Sequence, residues 1–201
     1  MRTIVPFDAT TPKTRLAPVL DAAERREFAR AMLEDVLSTL ASTPAEPVVL
    51  ATAPVECDVP VEVDDRPLTG AVNARLGPAP TAVVMADLAI ATPEALASLL
   101  GSETDLAIAA GLGGGTNAFL ARDPAFRVDY HGASYRDHLE IAREECLSVR
   151  EVDSQLLAVD VDEPADLAEL LLHGDGAARD WLVDAGFELD VNGGRVDVAR
   201  E

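Results

Sequence analysis

Two basic residues have the type and spacing of a polyanion-binding site. Lys13 and Arg15 stand two positions apart in the segment TPKTRL, just after a short apolar run. In a loop, both side chains can point at the oxygens of one polyanion, and arginine adds a two-pronged donor. An ordinary solvated pair has the same spacing, but Lys13 is the only lysine among the 16 basic residues. The pattern therefore favours a phosphate-binding role for both residues.

Three aspartates end apolar runs and have the chemistry of magnesium ligands. Asp87 follows TAVVMA, and Asp160 and Asp162 alternate at the end of LLAVDVD. Carboxylate oxygens are the ligands that hard divalent cations prefer. A simpler role is also open to them, because Asp is favoured in turns and Asp162 is a good helix cap. The sequence predicts that Asp87, Asp160 and Asp162 form a magnesium site.

The segment GLGGGTN, residues 111–117, is rich enough in glycine to wrap around an anion. Glycine lets several backbone amides turn towards one ligand, and Thr116 and Asn117 add side-chain donors. The segment has neither the GxGxxG spacing of a dinucleotide site nor the ending of a Walker loop, so a plain glycine turn remains the alternative. The histidines are weaker candidates: His131 and His138 suit surface or packing positions, and His173 suits a helix end.

Alternating strand and helix signals place these residues at one edge of a sheet. Continuous apolar runs predict buried strands at residues 3–7, 48–51, 81–86 and 105–110, and helical spacing predicts helices after the Asp21–Glu24 capping box and at 68–76 and 93–100. This order indicates a doubly wound α/β domain with a mainly parallel sheet. In such sheets ligands bind beyond the carboxyl ends of the strands, where Lys13, Asp87 and residues 111–117 fall.

The last third of the chain is more mixed. Strands are predicted at 126–130 and 156–161. Ser134, with Asp137, is predicted to cap a helix that runs to Glu145, and Asp162 to cap a helix that starts at Pro164 and ends near His173. Alternating apolar and polar residues over 187–198 predict a hairpin around Asn192, Gly193 and Gly194. We expect one domain over residues 1–175, with 176–201 as a helix and hairpin extension of it.

Composition and charge exclude several classes of protein. The 201 residues carry 36 acidic against 16 basic side chains, a net charge of −20, and are 48% hydrophobic, which fits one domain with a real core. A body this acidic repels nucleic acid and anionic lipid. The apolar runs are far shorter than the roughly 20 residues of a membrane span. Cys57 and Cys146 are too far apart to suggest a disulfide framework or a zinc site.

From these observations we expect a cytoplasmic protein with no nucleic-acid or membrane partner. The acidic, lysine-poor composition is typical of proteins from a cytoplasm of very high salt, where charges are screened over a few ångströms. We therefore predict an extreme halophile as the source.

Five segments together resemble the 2-phospho-L-lactate guanylyltransferases, archaeal enzymes of coenzyme F-420 biosynthesis related to the molybdenum-cofactor guanylyltransferases. They are VPFDATTPKTRLAPVL, VVMADL, GGGTNAFLAR, YHGASYRDHLEIA and LAVDVDEPADLAELLLHG, of which KTRL and GGGTN are the most specific. The resemblance covers residues 1–174 and implies the fold of the nucleotide-diphospho-sugar transferases, with a homodimer as the assembly.

The resemblance also implies a reaction and its residues. A phosphate oxygen of 2-phospholactate attacks the α-phosphorus of GTP, and pyrophosphate is the leaving group. The product is lactyl-2-diphospho-5'-guanosine. By position, the residues implied to bind the nucleotide are Pro6, Phe7, Lys13, Arg15 and Asp87, and the last three are implied to be catalytic. The residues implied to bind the acceptor acid are Gly114, Gly115, Thr116, Asn117, Gly132 and Ser134. Those implied to hold Mg²⁺ are Asp87, Asp160 and Asp162.

Three positions depart from the family pattern. Asp8 stands where lysine is frequent, Leu112 where arginine often precedes the glycines, and Ala89 where proline often follows Ala-Asp-Leu. The first two remove positive charge near a polyanion site. These departures bear on substrate affinity and not on the class of enzyme. Three other functions also stay open: a guanylyltransferase acting on phosphoenolpyruvate, one of the molybdenum-cofactor type, or an inactive nucleotide-binding regulator.

Overall fold

The computed structural model describes residues 1–191, 194 and 196–200. Its strands are β1 (Arg2–Phe7), β2 (Glu46–Ala51), β3 (Val61–Val63), β4 (Thr81–Val84), β5 (Leu106–Ala110), β6 (Thr116–Ala121), β7 (Val149–Glu151), β8 (Phe187–Asp190) and β9 (Asp197–Arg200). Its helices are α1 (Ala22–Ala41), α2 (Leu68–Asn73), α3 (Pro93–Leu100), α4 (Ser134–Glu144), α5 (Gln155–Ala158), α6 (Asp166–His173) and α7 (Ala177–Asp184), with a 3-10 helix at Thr14–Leu16.

Seven strands form one mainly parallel sheet in the order β3-β2-β1-β4-β6-β5-β7. This confirms the predicted α/β architecture. β6 is the exception, because it runs antiparallel to both β4 and β5. β6 is absent from the strands predicted above, because the glycine segment before it was interpreted as an anion-binding loop, whereas it forms the turn of a hairpin between β5 and β6.

The strand order creates a crevice at the centre of the sheet. From β1 the chain passes outward to β2, whereas β4 pairs with the opposite side of β1. The carboxyl ends of β1 and β4 therefore lie side by side at the point where the strand order reverses, which is where open α/β sheets bind ligands. Lys13 follows β1 and Asp87 follows β4, so the topology brings these two residues together.

Two apolar clusters cover the two faces of the sheet. Successive residues of β1 point to opposite faces, so Val5 packs with α1 in the larger cluster and Ile4 packs in the second. The predicted capping box of α1 is confirmed: Asp21 accepts from the amides of Ala23 and Glu24, and the Glu24 side chain accepts from the Asp21 amide. This cap fixes the start of the longest helix, which buries one face against the sheet.

The C-terminal segment packs against α1. The ring centroids of Phe28 on α1 and Trp181 on α7 lie 5.2 Å apart, and the carboxylate of Asp35 accepts hydrogen bonds from the first two amides of α7. The predicted hairpin is present as antiparallel β8 and β9, although Asn192 and Gly193 of its turn lie outside the described residues. The boundary at residue 175 between the domain and its C-terminal extension stays a prediction.

The predicted strand at 126–130 is wrong. The segment has no regular secondary structure and buries Phe126 and Val128, and its amides from Val128 onward donate to side chains rather than to a neighbouring strand. The amide of Val128 donates to Asn73 and that of Tyr130 to Thr69, both on α2. The apolar spacing that suggested a strand therefore reports packing under α2.

Two further predictions near the site need correction. Residues 156–161 are no strand: they contain the single turn α5 followed by extended chain. Asp162 does not cap the next helix, because α6 begins only at Asp166 and the Asp162 carboxylate accepts from Lys13 and Arg15 instead. Ser134 begins α4 as predicted but makes no cap, since its hydroxyl accepts from the amide of Thr116.

Across the described ranges, no helix is long and apolar enough to cross a membrane.

Candidate active site

Lys13 joins the loop after β1 to two of the predicted aspartates. Its ammonium nitrogen lies 2.6 Å from Oδ2 of Asp87 and 3.4 Å from Oδ1 of Asp162. The Lys13 side chain is only 10% exposed, and its backbone has a left-handed conformation with φ of 53°. Because left-handed geometry is costly for a side-chain-bearing residue, the fold holds Lys13 in place against local strain.

The electrostatics of this cluster keep Lys13 charged. Burial alone lowers the pKa of Lys13, but the charges of Asp87, Asp162 and Asp160 and the hydrogen bond to Asp87 outweigh it, so the pKa stands above its usual value. Asp160 behaves in the opposite way: burial, helped by the charge of Asp87, raises the pKa of its carboxyl. A buried cation therefore sits among carboxylates whose mutual repulsion it relieves.

Arg15 lies at the outer rim of the same cluster. Its guanidinium contacts Oδ2 of Asp162 at 2.8 Å and Oε1 of Glu163 at 3.7 Å, while its side chain stays 67% exposed. Such exposed ion pairs contribute little to stability, so the Arg15 side chain is free to exchange a carboxylate for another anion.

The three aspartates do not form a ready-made metal cage. Within the described ranges, no group of three or more His, Cys, Asp or Glu side chains is arranged to hold a metal ion. Lys13 reaches Asp87 and Asp162, and the third carboxylate, Asp160, accepts a hydrogen bond from Asn117 at 3.0 Å. One atom stands out: Oδ1 of Asp87 is buried and has no hydrogen-bond partner. An unpaired buried carboxylate oxygen is the kind of group that a cation would satisfy.

A cleft of about 540 Å³ opens beside this cluster. All five residues expected to bind the nucleotide line it, together with Asp162; the five are Pro6, Phe7, Lys13, Arg15 and Asp87. The structure thus brings the predicted basic pair, Lys13 and Arg15, and the predicted metal ligand Asp87 into one cavity. Its size is within the range of small-molecule sites.

The far side of the cleft holds residues that the sequence analysis missed. Asp64 follows β3 and is clamped by Arg66 and Arg75, whose hydrogen bonds hold the pKa of its carboxyl well below the usual range. Asp64 and Arg66 both line the cleft. The rule that ligand residues follow strands would have found Asp64, but a three-residue strand gives too weak a pattern to recognise.

Asp8, where lysine was expected, closes the loop that carries Lys13. Its carboxylate accepts from the amides of Thr10 and Thr11 and from the hydroxyl of Thr52. Although burial raises the pKa of Asp8, these hydrogen bonds outweigh it and the pKa is lowered. Asp8 thus organises the loop.

The glycine segment is a tight turn rather than an open anion nest. The amides of Gly111, Leu112 and Gly114 donate to backbone carbonyls, so they are not directed at a ligand as expected. Gly114 has φ of 83° and Gly132, in the loop before α4, has φ of 52°, conformations that favour glycine. The turn brings Thr116 against Ser134, whose Oγ accepts from the Thr116 amide at 3.1 Å.

Asn117 holds the glycine turn to the segment that carries Asp160. Its amide group donates to the carbonyls of Leu157 and Ala158 and to Asp160. A side chain at Gly111 would meet the Asn117 Oδ1 atom at 2.5 Å, so Gly111 is needed for this contact. The geometry therefore gives Asn117 the task of placing Asp160. The acceptor-side residues Thr116, Asn117 and Ser134 are buried and do not line the cleft.

Comparisons with known proteins agree with this architecture. A crystal structure from Desulfovibrio desulfuricans, described as a nucleotide-diphospho-sugar transferase, is similar with a TM-score of 0.74 and 18% identity, covering 91% of this chain and 94% of the other. A nucleotidyl transferase from Methanothermobacter has a TM-score of 0.63 at 14% identity, covering 91% and 98%. At these identities the likeness shows the fold alone.

Sequence relatives are much closer. A 2-phospho-L-lactate guanylyltransferase from Halomicrobium mukohataei is 60% identical over the full length of both chains, and the one from Haloferax volcanii is 57% identical over 100% of this chain and 99% of its own. Both are haloarchaeal proteins, which agrees with the salt-adapted composition. The family model described as "Guanylyl transferase CofC like" matches residues 1–200. The chain therefore belongs to the CofC-like family of guanylyl transferases, and so to the nucleotidyltransferases.

Proposed function

We propose that this protein transfers the guanylyl group of GTP to 2-phospholactate. A phosphate oxygen of the acid forms a bond to the α-phosphorus, the bond from that phosphorus to the bridging oxygen breaks, and pyrophosphate leaves. The product is lactyl-2-diphospho-5'-guanosine. The observation that carries this proposal is the cleft that holds Lys13, Arg15 and Asp87, in a chain whose full-length relatives have this activity in their names.

The basic residues act on the triphosphate. Lys13 is held charged at the mouth of the crevice, and Arg15 can exchange Asp162 for a phosphate oxygen. Both are placed to stabilise negative charge that grows on the leaving pyrophosphate. Transfer of this kind needs orientation and cations rather than a side-chain nucleophile.

The proposed cofactor is Mg²⁺. Asp87, with its unpaired buried oxygen, would hold the ion, and Asp160 and Asp162 supply further carboxylates nearby. When bound, the ion neutralises charge on the phosphates. With Asp87 and Asp162 holding the ion, the Lys13 ammonium would be available to the triphosphate.

The acceptor acid is assigned to the hairpin between β5 and β6 and to the start of α4. A side chain at Gly115 or Gly132 would meet no atom within 4 Å, and one at Gly114 would meet only Ala133 at 3.9 Å, so an acid has room there, and Thr116 and Ser134 supply hydroxyls. These groups suit an acid that carries a phosphate and a carboxylate.

A homodimer, implied by the family resemblance, is proposed as the assembly and is tested by the sedimentation velocity of the purified protein.

The decisive experiment is pyrophosphate release in molar KCl with Mg²⁺. GTP is offered with 2-phospholactate, with phosphoenolpyruvate and with no acceptor, and ATP replaces GTP in a parallel series. We expect release with GTP and 2-phospholactate only. Release with phosphoenolpyruvate alone would change the acceptor, and no release from folded protein with either acid would overturn the proposal.

A further inference from the structure

His138, on α4, is fully buried, and both of its ring nitrogens are engaged. Nε2 lies 2.9 Å from the backbone nitrogen of Asp129, and Nδ1 lies 2.8 Å from the hydroxyl oxygen of Thr116. His138 has no contact with the cleft beside Lys13. Its bond to Thr116 connects it instead to the residues expected to bind the acceptor acid.

The hydrogen bonds of His138 fix which nitrogen carries the proton. A backbone amide can only donate, so Nε2 of His138 must accept from the Asp129 N–H and carry no hydrogen. A neutral imidazole has one N–H, which must then be on Nδ1. Nδ1–H therefore donates to Thr116, and the Thr116 oxygen is an acceptor in this bond.

This arrangement leaves the Thr116 proton to be donated elsewhere. Apart from His138, no residue that the structure describes is hydrogen-bonded to the Thr116 hydroxyl. Ser134 is in a similar position, because its Oγ accepts from the Thr116 amide and its own proton has no acceptor in the described chain. Two neighbouring hydroxyls are thus both left with a proton to donate, as an anion requires.

We propose that His138 is a positioning residue that orients the Thr116 hydroxyl to donate a hydrogen bond to the anionic acceptor acid. This rests on the proposed function, in which Thr116 binds that acid. His138 itself has no exposed surface, and its Nδ1 is engaged by the Thr116 hydroxyl. It acts through Thr116.

The surroundings of His138 keep it neutral. The rings of Phe126 and Tyr130 pack against the imidazole with centroids 5.9 Å and 5.2 Å away. Burial lowers the pKa of His138 to about 4, although the charges of Asp137 and Asp129 act in the other direction. A protonated ring would lose the hydrogen bond from the Asp129 amide, since Nε2 could no longer accept.

The tautomer can be tested without substrate. The chain has three histidines, so ¹⁵N NMR resolves their imidazoles, and the His138 signals are those that vanish in His138→Phe. We expect a protonated Nδ1 and an unprotonated Nε2 from about pH 8 to about pH 5. A proton on Nε2, or a charged ring at about pH 6, would overturn the inference.

Kinetics test the action through Thr116. His138→Phe keeps the ring shape and removes both bonds, whereas His138→Asn keeps a donor near the position of Nδ1. We expect His138→Phe and Thr116→Val each to raise KM for the acceptor acid by roughly tenfold, with KM for GTP unchanged within about twofold. His138→Asn and Thr116→Ser, which retain the donor and the hydroxyl, recover most of the loss.

The double variant separates positioning from a general structural role. If His138 acts through Thr116, His138→Phe with Thr116→Val is no worse than either single variant. Additive losses, or an equal rise in KM for GTP, would contradict the inference. Wild-type protein that releases no pyrophosphate with any acid would overturn the proposed function instead, and the NMR experiment would still decide the tautomer.

Discussion

At the scale of single residues, Asp87 is the side chain on which the site depends most. It faces Lys13 with one oxygen and leaves the other buried and unpaired. Asp87→Asn keeps the shape of the side chain but removes the charge that would hold Mg²⁺. We expect turnover to fall by at least roughly 100-fold in the pyrophosphate assay.

The fold should survive this change. Lys13 keeps Asp162 as a partner, so we expect the free energy of unfolding to fall by no more than about 2 kcal/mol. Asp58→Asn makes the same change of charge at an exposed position away from the cleft and is the matched control. Turnover of folded Asp87→Asn at the wild-type rate would show that the metal assignment is wrong.

A second residue-scale prediction concerns pH. The pKa of His138 in the folded protein is about 4, below its usual value of 6.5, so the unfolded chain binds more protons between these values. The contribution of His138 to stability is therefore complete above about pH 6.5 and is lost as the pH falls towards 4. His138→Asn cannot titrate, so its free energy of unfolding should decline less over this range in urea titrations. Parallel declines in the two proteins would contradict the neutral, buried ring.

At the scale of elements, the sequence was most informative where local signals act alone. The capping box of α1 and the Pro93 start of α3 are written in neighbouring residues, and β4 is a continuous apolar run. The strand predicted at 126–130 is wrong because two of the segment's hydrogen-bond partners, Asn73 and Thr69, lie 55 and 61 residues away in the chain. Such long-range bonds leave no periodic pattern in the sequence.

The site residues divide in the same way, into those predictable from local patterns and those placed by long-range packing. Lys13 and Asp87 were predictable because both follow strong strands, and the structure joins them. The link from His138 to Thr116 was not, because it depends on the packing of α4 against the β5–β6 hairpin. A buried histidine and a surface histidine look alike in one sequence.

The glycine turn gives the element-scale prediction. A methyl group at Gly111 would meet Asn117 and displace the amide that holds Asp160 and the carbonyls of α5. We expect Gly111→Ala to lower turnover by roughly tenfold and the free energy of unfolding by about 1–2 kcal/mol, as lost buried hydrogen bonds do. Gly113→Ala, in the same turn, adds its methyl group to open space at a normal φ and should leave the unfolding free energy unchanged. Equal unfolding free energies for the two variants would show that the Asn117 contact is dispensable.

At the scale of the whole molecule, the net charge of −20 opposes both compactness and the approach of two polyanions. The fold answers this locally, by placing Lys13 and Arg15 at the switch point of the sheet. The remaining repulsion is spread over the surface, where only dissolved ions can reduce it. The stability of the whole fold, and not only the binding of substrates at the site, should therefore depend on the salt concentration.

Stability in KCl tests this dependence. The screening length falls from about 10 Å at 0.1 M to about 3 Å at 1 M, so most of the repulsion is removed over that interval. We expect Tm to rise by roughly 10 °C between these concentrations and to level off above them. Tetramethylammonium chloride at equal ionic strength should give the same rise, because screening depends on charge alone. A gain confined to KCl and still growing well beyond 1 M would mean that specific hydration or potassium binding, rather than screening, stabilises the acidic surface.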